Sequence, residues 1–183
     1  MWSPSDGFPV LTTPRTVLRE IVPSDATALF AFRSDAEEQR YNDPPLIDLD
    51  EAGALVERLA REYRDDAVVR WGLTVGADDV VVGLLGYNSW DREHARAELG
   101  YDLARPLWGR GLAGEAVRAV VDFGFDRMGL ERIGVRTDAA NVRSLRMLDR
   151  LGFRREGTLR GWFVEDGTRH DIALYSLLRP EWP

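Results

Sequence analysis

Cysteine is absent, which excludes disulfides, thiolate metal sites and a cysteine nucleophile. Lysine is absent as well: all 24 basic residues are arginine. That excludes a Schiff-base lysine and the lysine of a Walker-type phosphate loop. The two histidines, His94 and His170, lie far apart, so a histidine-rich metal site is not expected, and no metal is expected at all. Positive charge is in deficit, 24 − 31 = −7. A chain this acidic makes a poor general nucleic-acid binder, since phosphate binding needs surplus positive charge. A cationic acceptor suits it better. No run approaches the ~18 apolar residues that a membrane span requires. The first residues, MWSPSDGFPVL, have neither a basic n-region nor a long apolar run, so no signal peptide is expected. The expectation is a cytoplasmic protein that binds neither nucleic acid nor membrane.

What is present suffices for one domain. The chain has 183 residues, of which 44% are hydrophobic and 10% aromatic. Residues 1–14, with Pro4, Pro9 and Pro14, read as an N-terminal arm, and 15–183 as a single domain. Arg15–Val22 has the alternation of a strand, and Ser24 is placed to cap a helix running to about Arg33. Ser34–Asn42 reads as a short helical turn, broken by Asp43-Pro44-Pro45. Asp48 and Glu51 form a capping-box-like pair ahead of the apolar face Leu55, Val56, Leu59 and Tyr63, and Asp65-Asp66 end that helix. Three strands follow: Val68–Val75, a turn at Gly76–Asp79, then Val80–Trp90 and Ala95–Leu103. The apolar start of Val80–Trp90 suggests burial on both faces.

Beyond Leu103 the pattern changes. Leu112–Met128 reads as a helix closed by Gly129, Arg132–Thr137 as a strand, and Asn141 as the cap of a helix ended by Gly152. Phe153–Val164 and His170–Leu178 are the last strands, joined by a turn at Glu165–Thr168. The order β-α-α-β-β-β-α-β-α-β-β predicts an α/β (α+β) domain whose mixed sheet is mostly antiparallel and carries helices.

The loop Trp108-Gly109-Arg110-Gly111-Leu112-Ala113 joins the third strand of the meander to a helix. Its glycines let backbone approach a ligand closely. The first amides of the helix have no internal partners and, with the helix dipole, favour an anion such as a pyrophosphate. Arg110 can add charge. A tight turn for helix–strand packing explains the glycines equally well. Gly109-x-Gly111-x-x-Gly114 also matches the dinucleotide fingerprint, with Asp138 further on. The context does not: residues 104–108 separate strand from glycine, and an antiparallel meander replaces the repeated βαβ units.

Four spaced motifs add specificity: Glu98-Leu99-Gly100-Tyr101, Trp108–Ala116 (WGRGLAGEA), Asn141-Val142-Arg143-Ser144 and Leu151-Gly152-Phe153. In this order they resemble the GNAT superfamily of acyl-CoA N-acyltransferases, over nearly all of 15–178. The branch they resemble is that of the ribosomal-protein N-terminal acetyltransferases, which mixes protein N-terminal and small-amine acceptors. Trp108 stands where the superfamily's loop usually has Gln or Arg, a departure typical of that branch. The resemblance implies a GNAT fold with helices on both faces of the sheet. It also implies direct acetyl transfer from acetyl-CoA to an amine in a ternary complex.

On that resemblance, the cofactor would be held by Leu103, Trp108, Gly109, Arg110, Gly111, Leu112, Ala113, Asn141 and Ser144. Leu103 would pair its backbone with the pantetheine arm where the strand splays from its neighbour. Glu98 is the base candidate; the plain alternative is a strand glutamate paired to Arg96 or Arg136. Ser144 is the acid candidate, protonating the departing thiolate; the plain alternative is an exposed residue in a helix's first turn. Tyr101 and Tyr175 are fallback acids. Phe30, Phe32, Tyr41, Trp90, Trp162 and Phe163 would wall the acceptor site, with Glu37, Glu38, Asp43, Asp91 and Glu165 available to a cationic acceptor. Three functions stay open: acetylation of a protein or peptide N-terminal α-amine, acetylation of a small-molecule amine, and acyl-CoA binding without turnover. An exposed strand or aromatic patch would serve a homodimer.

Overall fold

Strand formation begins earlier than the sequence pattern suggests. In the computed structural model, which describes residues 2–65, 68–165 and 167–183, Leu11–Thr12 (β1) pairs antiparallel with Thr16–Arg19 (β2). The turn between them is closed by Thr13, whose hydroxyl bonds the Thr16 carbonyl and hydroxyl. The segment expected as an arm runs across the core: Trp2 is buried against Phe123, Trp90 and Tyr63, and the Trp71 indole donates to the Pro9 carbonyl.

Ser24 caps nothing. Pro23–Asp25 forms a single 3-10 turn in which Asp25 accepts from the Val22 amide and from Arg19, and the helix proper is Ala26–Arg33 (α1). A four-residue helix, Ala36–Gln39 (α2), is capped by Asp35. Leu49–Arg64 (α3) starts at Asp48, which accepts from the Glu51 amide at 2.8 Å, and buries Leu55, Val56 and Leu59. Asp66, expected to help end α3, and Asp166, expected in the last turn, lie outside the described residues.

The meander is Arg70–Val75 (β3), Asp78–Asp91 (β4) and Arg96–Leu103 (β5). The β3–β4 turn is tighter than expected, two residues led by Gly76 at φ +69°. Val80 is exposed, so burial on both faces begins only at Gly83 and lasts to Tyr87. Leu112–Phe123 (α4) continues through a π-helical turn, Gly124–Met128, before Gly129. The remaining elements are Arg132–Asp138 (β6), Val142–Arg150 (α5), Arg154–Glu165 (β7) and Thr168–Leu178 (β8).

The eight strands form one sheet in the order β1-β2-β3-β4-β5-β6-β8-β7, and only β5–β6 is parallel. One face packs α4 and α5 on a core that includes Trp71, Tyr87, Leu99, Val117, Val120, Ile133 and Leu148. The other packs α1 and α3 on Leu29, Phe32, Leu55, Leu59, Val81 and Leu84. Helices therefore cover both faces, as the GNAT resemblance implied. The feature that matters most is a gap. β5 pairs with β6 only from Arg96↔Arg132 to Glu98↔Gly134, while its other edge stays paired to β4 as far as Leu103. From Leu99 onward β5 and β6 splay apart. The β5–β6 connection runs through the glycine loop and α4, the helical crossover that a parallel pair requires.

Candidate active site

The splay opens a cleft whose two ends share Tyr41, Asn42, Tyr101, Asp102, Asn141 and Ser144. One end, about 430 Å³, lies between the glycine loop, α4 and α5. The other, about 230 Å³, lies over β3–β6 and beside the α1–α2 segment.

At the loop end Gly111 is the residue before α4 and has φ +76°, with Gly109 at +74°. Both need the left-handed region that glycine enters without cost. No side chain caps α4, so its first amides stay available at the cleft wall. Trp108 fixes the loop: its indole donates to the Leu103 carbonyl at 2.6 Å and the Arg143 guanidinium lies over its ring at 3.7 Å. Leu103, Trp108, Gly109, Gly111, Leu112, Ala113, Asn141 and Ser144 all line this end. Arg110 does not; its carbonyl instead accepts from Arg15 at 2.9 Å. Arg15 also joins Thr13 in engaging Glu115 of α4, and these bonds hold the Glu115 carboxyl below its usual pKa, the Thr13 hydroxyl first among them.

Three further residues here escaped the sequence reading. Arg143, Arg146 and Arg150 line the same end from α5. Their spacing of three and four was the available signal, since it puts them on one helical face. A chain with net charge −7 thus presents a locally basic mouth where the amides of α4 already favour an anion.

At the junction, the Asn141 side chain accepts from the Ser144 amide at 3.2 Å, capping α5, and Asn141 lines both ends of the cleft. Ser144 is buried rather than exposed, and its hydroxyl bonds the Tyr101 phenol at 2.6 Å. Burial raises the Tyr101 pKa far above its ordinary value, so the phenol stays protonated.

Glu98 is not brought to Ser144. Its carboxylate pairs with Arg136 at 2.9 Å and lines a separate open groove on β4–β6–β8, together with Arg96, Arg132 and Glu156. Arg136 borders both that groove and the cleft. Tyr175, the other fallback acid, lines the groove as well. Of the acceptor-side aromatics, Phe32 is core, Tyr41 lines the cleft, Trp90 packs on Trp2, Trp162 is exposed and Phe163 stacks on His170. His170 pairs with buried Asp138 at 2.8 Å, a contact that sequence separation hid. Glu38 lines the cleft with one oxygen on the Arg105 amide and the other buried without a partner; burial raises its pKa.

A family model described as the acetyltransferase (GNAT) domain matches residues 15–154. The chain is a GNAT acetyltransferase. It is 34% identical over 174 residues to the uncharacterized N-acetyltransferase YoaA of Bacillus subtilis, covering 94% of this chain and 98% of that protein. It is 27% identical over 180 residues to the [ribosomal protein uS5]-alanine N-acetyltransferase of Escherichia coli, covering 94% and 92%. Among solved structures, the ribosomal L7/L12 α-N-protein acetyltransferase RimL, in complex with coenzyme A, superposes with a TM-score of 0.86 at 19% identity, covering 93% of this chain and 98% of that one. At that identity the likeness to RimL is one of fold. In this GNAT acetyltransferase no group of metal-binding side chains occurs among the described residues, and no helix among them is long and apolar enough to cross a membrane.

Proposed function

We propose that this acetyltransferase moves the acetyl group of acetyl-CoA directly to the α-amine of a protein or peptide N-terminus. The observation that carries the reading is the continuity of the cleft: one slot runs from the α4 amides, past the Tyr101–Ser144 pair, to a second pocket over the sheet. The loop end fits coenzyme A, with free amides and three arginines for phosphates and the unpaired edge of β5 for an extended arm. Bound acetyl-CoA supplies an activated thioester. Leu99–Leu103 would hydrogen-bond the arm as an added strand, with one lone pair of the Leu103 carbonyl already committed to Trp108.

In this reading Ser144 would protonate the leaving sulfur. If Tyr101 donates to the Ser144 oxygen, the Ser144 hydroxyl proton is free to point into the slot. The acceptor must arrive as a neutral amine. With a pKa near 8, about a tenth of an α-amine is neutral at pH 7, against roughly one part in 2,500 of a lysine side chain near 10.4. An α-amine therefore asks little of a base. That suits Glu98, whose lone pairs are contested by Arg136 and which would act through water across the Arg136 boundary. The named activity of the uS5-alanine relative points to the same acceptor class.

The test is release of thiol from acetyl-CoA across a panel of N-terminal peptides and small amines. With no cysteine, the protein adds no thiol background. Turnover that depends on the first two peptide residues supports the reading. Turnover confined to small amines replaces it with metabolite acetylation, and tight CoA binding without turnover replaces it with a binding module.

A further inference from the structure

The second pocket holds a guanidinium that no described residue engages by ion pair or hydrogen bond. Arg33, Arg70 and Arg136 all line it. Arg33 is satisfied three times over: its guanidinium reaches Asp102 at 3.3 Å, Asp43 at 3.0 Å and the Gln39 side chain at 3.4 Å. Arg136 holds Glu98. Arg70 has no ion pair or hydrogen bond to its guanidinium among the described residues, and its Nε is fully enclosed with no partner. Asp43 and Asp102 are both engaged by Arg33, and Asp102 also accepts from the Leu84 amide at 2.9 Å. Glu62, which has one oxygen buried without a hydrogen-bond partner, and Asp43 attract Arg70 at a distance, without an ion pair to it. Burial without a contact partner lowers the Arg70 pKa, the mark of a charge held at a desolvation cost.

Geometry connects this charge to the reaction centre. Arg70 pairs in register with Gly86, and Gly86 with Gly100, so the three stand in one row across β3, β4 and β5. The two glycines carry no side chains of their own, and the Asn88 side chain lies over Gly100 on this row. Neither glycine is replaceable: a Cβ at Gly86 would strike the Val69 carbonyl, and one at Gly100 would lie 2.6 Å from the Asn88 side chain. Two strand spacings put the Arg70 and Gly100 backbones about 10 Å apart. Arg70, Gly86, Gly100 and Tyr101 all line the one pocket.

We propose that Arg70 is an anion subsite of the acceptor pocket, so that the amine acetylated here carries a carboxylate or phosphate within a few bonds of its nitrogen. The inference rests on the acetyl-transfer reading and narrows its substrate. Both the α-carboxylate of a small amino acid and an acidic side chain next to a peptide's N-terminus present this chemistry. A planar guanidinium recognises either anion through paired hydrogen bonds.

The experiment compares matched acceptors and titrates anions separately. The matched pairs are peptides beginning Ser-Asp or Ser-Asn, and free amino acids beside their amides. The expected result is a kcat/KM at least 10-fold higher for the anionic member of one of these pairs, which also identifies the source of the anion. In Arg70→Gln the preference should fall close to unity while the rate on the neutral member holds. Arg70→Lys should restore part of it. Independently, acetate and inorganic phosphate are titrated into the CoA-loaded protein by calorimetry, with binding expected in the wild type and lost in Arg70→Gln. Amines acetylated without any anionic preference, or a preference that survives Arg70→Gln, overturn the subsite and leave acetyl transfer standing. Arg70-dependent anion binding with no amine acetylated keeps the subsite and removes the transfer reading. Absence of anion binding in the wild type, with no preference in turnover, overturns the subsite even if both variants fail to fold.

Discussion

The glycine-loop end of the cleft and the Arg33–Arg70 end meet at Tyr101, but they are assembled differently. The loop end is almost continuous in sequence: residues 103–113 and 141–150 supply its lining, apart from Glu38, Tyr41 and Asn42 of the facing segment and Tyr101 and Asp102 at the junction. Its attraction for anions comes from backbone amides and one helical face. The pocket end gathers Arg33 from α1, Asp43 from a loop, Arg70 from β3, Asn88 from an irregularity in β4 and Asp102 from β5. Its charges are side chains from distant parts of the chain: Arg33, Asp43 and Asp102 hold one another, and Arg70 stands apart from them without an ion pair. A binding end made of backbone tolerates change in most side chains but not in its glycines. An end made of interlocked side chains can change specificity through single substitutions.

The sharpest way to break this contrast is at Gly111. Gly111→Val forces a β-branched residue to φ +76°, and CoA affinity should fall 100-fold or more by calorimetry, with the sheet still folded by circular dichroism. Unchanged affinity would show that the loop does not bind phosphate. The junction comes next. Ser144→Ala should lower kcat by about 10- to 100-fold with little change in the KM for acetyl-CoA. Tyr101→Phe should act in the same direction, and the double variant should cost no more than the worse single, because the two hydroxyls share one hydrogen bond. Full additivity would separate them.

Smaller effects follow on the α5 face and in the groove. Arg143→Ala, Arg146→Ala and Arg150→Ala should each weaken CoA several-fold, and added salt should erode the difference from wild type. Arg143→Ala should also loosen Trp108, visible in its fluorescence. Glu98→Gln should lower turnover modestly at neutral pH and recover at high pH, where the amine is already neutral; a wild-type pH profile would remove Glu98 as a base. The smallest effect is on stability. Arg132 first, then Ser176, holds the Glu156 carboxyl at a pKa of about 2. A depressed folded pKa stabilises above the unfolded value and is lost as pH falls toward 2. Glu156→Gln should therefore cost about 0.5 kcal/mol or less at neutral pH, the pair being partly exposed, and nothing at the acid end.

The same contrast explains what could be read from sequence. Glycines at 109 and 111, the Asn141 cap and the amphipathic α3 follow local rules, where neighbours in sequence are neighbours in space. The splay needs two strands with a helix between them, so it could be anticipated only through the family resemblance. Ser24 failed as a cap because Asp25 and Arg19 formed a stronger, charge-assisted arrangement. β1 was missed because two residues carry no period. The Arg33–Asp102 and Asp138–His170 pairs span tens of residues, and no spacing rule could single out one partner among 24 arginines and 31 acidic residues, whereas Glu98–Arg136 is one of the two pairings that the strand pattern offered for Glu98.

The unpaired stretch of β5 also has a solubility side. A row of free strand donors and acceptors is a template on which another chain can add a strand. Here that edge lies inside a V: β4 closes its far side, β6 closes the apex at Glu98, and Trp108 blocks part of the mouth through Leu103. A thin extended ligand can enter, but a second β-strand with bulky side chains on both faces cannot. Hydrogen exchange should show those amides of 100–103 that face the splay rather than β4 exchanging rapidly in the free protein and slowly once the slot is filled. The protein can thus keep an open hydrogen-bonding edge for its ligand without exposing it to aggregation with its own copies.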